Sequence, residues 1–182
     1  MDRKSVFLVV ALGLLLLGSP ASSVYGQKAA QDILAGLTTA HVRIFYSENG
    51  SLRESGQERN QMAANLERQL ADTGLKLVSR DEFDRLLSSR GYPIGLLDLE
   101  VRTNKISGVD FKIYSVSLKL QQLCYVSRKP VLRFLASTWD VTDAGTVDDF
   151  NGLNKRVNEA VARFVSDFKS EKLIEIREGK IR

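Results

Sequence analysis

One cysteine and one histidine are all that this 182-residue sequence offers to thiol, imidazole and soft-metal chemistry. A lone Cys124 cannot close an internal disulfide, even in an oxidising compartment. A structural zinc site needs three or four converging ligands, yet His41 and Cys124 fall on different predicted strands. Asp140, Asp143, Asp148 and Asp149 cluster in sequence but lack the ligand spacing of an EF-hand loop. Turns and helix caps use Asp in this way. The sequence contains no Gly-x-Ser-x-Gly elbow. Its 13 glycines are scattered, so no phosphate-cradling loop forms. These absences assign no catalytic, metal or cofactor residue, and the expectation is a protein that is not an enzyme.

Long hydrophobic runs are scarce as well. The only one, residues 6–17, is twelve residues long and follows Arg3 and Lys4. A spanning helix needs about 20 apolar residues, and this run stops at Gly18-Ser19-Pro20. A positive start, a short apolar stretch and then small residues is the order of a secretory signal peptide. Residues 1–26 fit it, with cleavage expected before Gln27 and an alternative site at Ala21-Ser22-Ser23. The expected location is therefore periplasmic or secreted. No cysteine lies near the cleavage region to carry a lipid, so no membrane anchor is expected after cleavage.

Strong charge of one sign is also missing. Loss of Asp2, Arg3 and Lys4 leaves 24 basic residues against 21 acidic ones, a net charge of +3. The charges are interspersed, whereas a nucleic-acid surface concentrates them in a stripe. No nucleic-acid partner is expected.

What remains is patterned as one domain over 27–172, with a charged tail at 173–182. Residues 37–46 alternate His41, Arg43 and Phe45 with Val42, Ile44 and Tyr46, which is strand periodicity. A polar turn follows at 47–51. Ser55 and Glu58 have capping-box spacing before a helix to about Asp72, with Met62, Leu66 and Leu70 on one stripe. Gly74 closes it, and 75–78 reads as a second strand. Ser79 and Glu82 repeat the box ahead of a short helix that Gly91-Tyr92-Pro93 ends. Three alternating strands at 94–106, 111–126 and 131–141 follow, joined by short turns that favour an antiparallel meander. A final amphipathic helix spans 148–172, with Leu153, Val157, Val161, Phe164 and Phe168 on one side. The expected fold is α+β: a mixed, largely antiparallel sheet in the order β-α-β-α-β-β-β-α, with helices packed on one face.

Three residues are candidates for partner or ligand contact. Asp98 and Glu100 share one strand face, near enough to perturb each other in a cleft or to pair with Arg102, Lys119 or Arg133. Trp139, the only tryptophan, serves either as core or as an exposed platform. Cys124, within Leu-Cys-Tyr-Val, reads as a small buried hydrophobe.

Residues 75–87, Leu-Lys-Leu-Val-Ser-Arg-Asp-Glu-Phe-Asp-Arg-Leu-Leu, follow a strand and a capped helix. This strand, Ser-Arg and short-helix signature resembles bacterial envelope domains. They include the curli-secretion component, the outer-membrane activators of peptidoglycan synthases and the N-terminal domain of the Tol–Pal translocation protein. Tyr114-Ser-Val-Ser-Leu118 with Ala136-Ser-Thr-Trp139 and the last helix is similar to small exported bacterial proteins without assigned activity. The expected export, the missing catalytic set and the mixed Ser, Lys, Arg and Gln on the outer strand sides lead to the expectation of a non-catalytic interaction or envelope-assembly module whose partner is another envelope protein. A small-ligand carrier, with Trp139 or Phe134 at the mouth of a cavity, is the alternative, and an enzyme the third.

Overall fold

The computed structural model of the chain describes residues 34, 36–89, 93–126 and 128–177. The expected leader and its cleavage site, the Gly91-Tyr92 helix stop and the end of the tail lie outside the described residues. Among the described residues the order is β1 (Thr39–Glu48), β2 (Ser51–Leu52), α1 (Gln57–Ala71), β3 (Lys76–Leu77), α2 (Arg80–Ser88), β4 (Ile94–Lys105), β5 (Lys112–Val126), β6 (Lys129–Val147) and α3 (Phe150–Arg177). One mixed sheet runs β2-β1-β4-β5-β6, with β3 paired to β1. β1 lies parallel to β4 from Thr39↔Ile94 to Glu48↔Thr103. β4, β5 and β6 form the expected antiparallel meander. The α+β class is as the periodicity indicated.

Alternation decides which side chains enter the core. Leu97, Leu99 and Val101 of β4, and Val116, Leu118 and Leu120 of β5, point to one face and are fully buried. The stripes of α1 (Met62, Leu66, Leu70) and α3 (Leu153, Val157, Val161, Phe164, Phe168) close over them. Each such burial stabilises the fold by about 1.5–3 kcal/mol. Two amide pairs clip the helices together: Asn65 Nδ2 donates to Asn154 Oδ1 at 3.2 Å, and Gln69 Nε2 to Asn158 Oδ1 at 3.1 Å.

The placement of α2 differs from the expected packing on a single face. Its Phe83 sits with Val78, Ile94 and Leu96, and with Leu86, Leu87 and Leu135 around them. Ile94 and Leu96 alternate with Leu97, so α2 covers the opposite side of the sheet at the start of β4. The apolar run Ile94-Gly95-Leu96-Leu97 is buried on both faces there, which a one-sided strand does not require.

Several boundaries move for physical reasons. The capping box at Ser55 does not form: Gly56, at φ 151°, is the N-cap of α1, without a side-chain cap bond. Glu58 instead accepts from the Tyr46 hydroxyl at 2.7 Å. The second box does form in part, with the Glu82 amide donating to Ser79 Oγ at 3.2 Å. The expected turn at 47–51 is shorter, because β1 reaches Glu48 and folds back through Asn49-Gly50 into β2. Both turn residues have positive φ, 51° and 76°, as a two-residue hairpin demands.

β6 does not end at 141 but continues to Val147. Gly145 lies beneath the Tyr114 ring, where an added Cβ would stand 3.3 Å from it. α3 starts at Phe150, capped by Asp149, whose Oδ1 accepts from the Gly152 amide at 2.8 Å. It runs to Arg177, so the charged tail begins inside a helix.

Candidate functional site

α2 covers only the start of the second sheet face, and beyond it the side chains of β1 and β4 line up in register. Arg43 stands opposite Asp98, and Phe45 opposite Glu100. Asp98 is 8% exposed. Arg43 grips it bidentately, Nε to Oδ1 and Nη2 to Oδ2, both at 2.6 Å. Gln121 Nε2 from β5 adds a third bond to Oδ2 at 3.1 Å. The Asp98 carboxylate holds the Arg43 guanidinium above the usual arginine range, chiefly through this hydrogen bond. The same guanidinium lies 4.8 Å over the Phe45 ring, a cation–π contact.

Next along β4, Arg102 Nε donates to Glu100 Oε1 at 2.8 Å. Phe45, Ser47, Leu52, Glu100, Arg102 and Asn104 line an open hollow of about 380 Å³ at this end of the sheet. Behind the rim of this hollow, on the helix-covered side of the sheet, Glu48 accepts from Lys112 Nζ at 2.8 Å. That bond, opposed by burial, lowers the Glu48 carboxyl below its ordinary value. Behind the rim, burial first and the Glu58 bond second push the Tyr46 phenol well above its ordinary value. The result is an aromatic ring and a set of paired charges on an uncovered strand face.

The candidates from the sequence divide between the two faces. Asp98 and Glu100 share the uncovered face as expected. Each is paired with its own arginine, Arg43 for Asp98 and Arg102 for Glu100. Lys119 stands opposite Asp98 in the β4–β5 register, but the donors to the carboxylate are Arg43 and Gln121, and Arg133 turns to the Leu87 carbonyl at 3.5 Å. Trp139 is on the opposite side, 9% exposed. It meets the edge of Phe164 at 5.1 Å between centroids, and its Nε1 donates to Asp167 Oδ2 at 3.0 Å. It is core, with its one polar atom satisfied.

His41 packs at 5.6 Å on Phe83, and its Nδ1 is 2.9 Å from the Val78 carbonyl. Cys124 is half-buried in register with Phe134, on the face away from His41. The two do not meet. Asp143 accepts from the Tyr114 hydroxyl at 2.7 Å, and Asp149 caps α3. Among the described residues no group of three metal-ligating side chains converges. None of the described helices is long and apolar enough to cross a membrane, which leaves strands unaddressed.

No family model matches the chain. No curated protein sequence matches it either. Among solved structures, the PelC dodecamer from Paraburkholderia phytofirmans aligns at 20% identity over 72% of this chain and 88% of its own, with a TM-score of 0.41. A minor lipoprotein from Acinetobacter baumannii aligns at 8% identity over 75% and 95%, with a TM-score of 0.35. The hypothetical protein CT253 from Chlamydia trachomatis aligns at 11% over 72% and 97%, with a TM-score of 0.38. These are likenesses of outline. They do not include the curli-secretion or Tol–Pal proteins that residues 75–87 resemble.

Sequence reasoning missed Arg43 and Phe45 as members of the site. Both stood in the alternating set of β1, and one further signal could have found them. A strand carrying Asp98, Glu100 and Arg102 on one face needs opposite charge beside it.

Proposed function

We propose that this chain is an exported, non-catalytic interaction module of the bacterial cell envelope, which holds a protein partner on the uncovered face of its sheet. The observation that carries the reading is the Phe45 hollow with its fixed Arg43–Asp98 and Arg102–Glu100 pairs. Protein interfaces favour an aromatic or Arg anchor surrounded by pre-ordered polar groups. The leader-like residues 1–26 support export, and the separation of His41, Cys124 and the carboxylates supports a role without catalysis. Trp139 belongs to the fold rather than to the contact, whereas Glu100 lines the hollow and Asp98 orients Arg43.

A photo-reactive side chain placed at Asn104, on the rim, tests this in the producing cell. The expected result is a discrete protein adduct that disappears when Phe45→Asp or Arg102→Glu is added. A protein that stays monomeric and uncross-linked from this face, in cells where it is exported, overturns the reading.

A further inference from the structure

β5 and β6 outrun the rest of the sheet. β4 stops pairing at Gly95↔Gln122, yet β5 continues to Val126 and β6 begins at Lys129. At about 3.3 Å per residue this two-stranded ribbon projects roughly 13 Å beyond its neighbour. Its register breaks at Leu120/Gln121 and again at Tyr125/Val126.

The projecting part is apolar and of one charge sign. Tyr125, Leu132 and Phe134 are 44%, 54% and 52% exposed, the largest group of exposed hydrophobics on any one element pair among the described residues. From Gln121 to Trp139 the sequence holds no acidic residue, but it holds Arg128, Lys129 and Arg133, all exposed. Strand alternation sends Tyr125 to the α2 side and Phe134 to the other, and exposed Leu132 lies in the register break next to Arg133. A flat protein surface would cover one side of the ribbon and leave the apolar groups of the other side in water. A medium that surrounds both sides, with anions above it, matches this distribution better.

We propose that the β5–β6 tip docks on an anionic lipid surface, with Tyr125, Leu132 and Phe134 entering the headgroup region and Arg128, Lys129 and Arg133 meeting the lipid phosphates. Aromatic side chains suit that boundary, and each cation near it adds attraction that salt screens. The Phe45 hollow lies at the other end of β4, near Asn104. The tip and the partner face therefore act without competing.

Flotation of the processed, exported protein with vesicles tests the proposal. Phosphatidylcholine vesicles are compared with vesicles that also contain phosphatidylglycerol. The protein is expected to float with the anionic vesicles, less so as salt rises. Arg128→Gln and Lys129→Gln each lower the partition coefficient about fivefold. Leu132→Ser with Phe134→Ser removes binding, while the melting temperature stays near that of the parent because these side chains are exposed. Lys155→Gln, at the start of α3, leaves partition unchanged. Absence of flotation with anionic vesicles, or equal flotation of parent and tip variants, overturns the proposal. So does a photo-reactive group at residue 134 that captures protein and no lipid.

Discussion

Removing either partner of the Arg43–Asp98 pair should unequally weaken the fold, and the inequality is the informative part. The Asp98 side chain is 11% exposed and the Arg43 side chain 37% exposed. Arg43→Ala strands a carboxylate that water barely reaches, with only Gln121 left to donate to it. Breaking a buried pair in this way costs about 3 kcal/mol. Asp98→Ala strands a guanidinium that can turn to solvent, so the loss is about 2 kcal/mol, on the scale of charge-assisted hydrogen bonds. Glu100→Ala, whose pair with Arg102 is exposed, costs about 0.5 kcal/mol or less. Urea unfolding followed by tryptophan fluorescence at Trp139 reads all three. With a slope near 2 kcal/mol/M, Arg43→Ala shifts the midpoint by about 1.5 M. The double variant should cost about 2 kcal/mol less than the sum of the singles. The reasoning is refuted if Asp98→Ala costs as much as Arg43→Ala. It is equally refuted if the coupling is below about 0.5 kcal/mol.

Alkali should destabilise the protein through Tyr46. Its phenol is raised by burial and by Glu58, so the unfolded chain loses this proton first, from about pH 10 upward. Stability is full below that value and falls as pH rises toward the folded pKa; pH-dependent melting of Tyr46→Phe should show a flatter alkaline limb than the parent. Phe83→Ala should cost about 3–4 kcal/mol and loosen α2 selectively, which hydrogen exchange at Phe83 to Leu87 would register. Gly95→Val should cost about 1–3 kcal/mol by overpacking. Even a Cβ there would lie 2.6 Å from Leu120 Cδ1 and 3.1 Å from Leu37 Cδ1; a melting temperature equal to the parent's would contradict that geometry.

Much of this fold could be read from periodicity. The stripe Met62, Leu66, Leu70 and the alternation of Tyr114, Val116, Leu118 and Leu120 each specify an element and the face it buries. The side taken by α2 could not be read, because it depends on whether Ile94 and Leu96 face inward, and both neighbours of Gly95 are apolar. The cap at Ser55 is out of step because α1 starts at Gln57 with Gly56 as its N-cap, and Glu58 accepts from Tyr46 instead. The site was half legible. Asp98 and Glu100 declare their shared face by two-residue spacing. Arg43 joins them only through the parallel pairing of β1 with β4, which no local pattern encodes. Trp139 had two readings, and the nearby Phe164 and Asp167 of α3 decide between them.

That same pairing bears on how the chain reaches its native state. β4, β5 and β6 pair with strands that follow directly in sequence, so their assembly closes short loops. β1 must instead find β4 across α1, β3 and α2, at a larger loop-closure entropy. Its docking is expected to be the late step, with β4 presenting a bare strand edge until it happens. Kinetic φ-values should then be lower at Ile44 than at Val116, and the reverse order would place β1 in the folding nucleus. In the interval, the edge carrying Leu97 and Leu99 is the part of the molecule most open to pairing with the wrong chain.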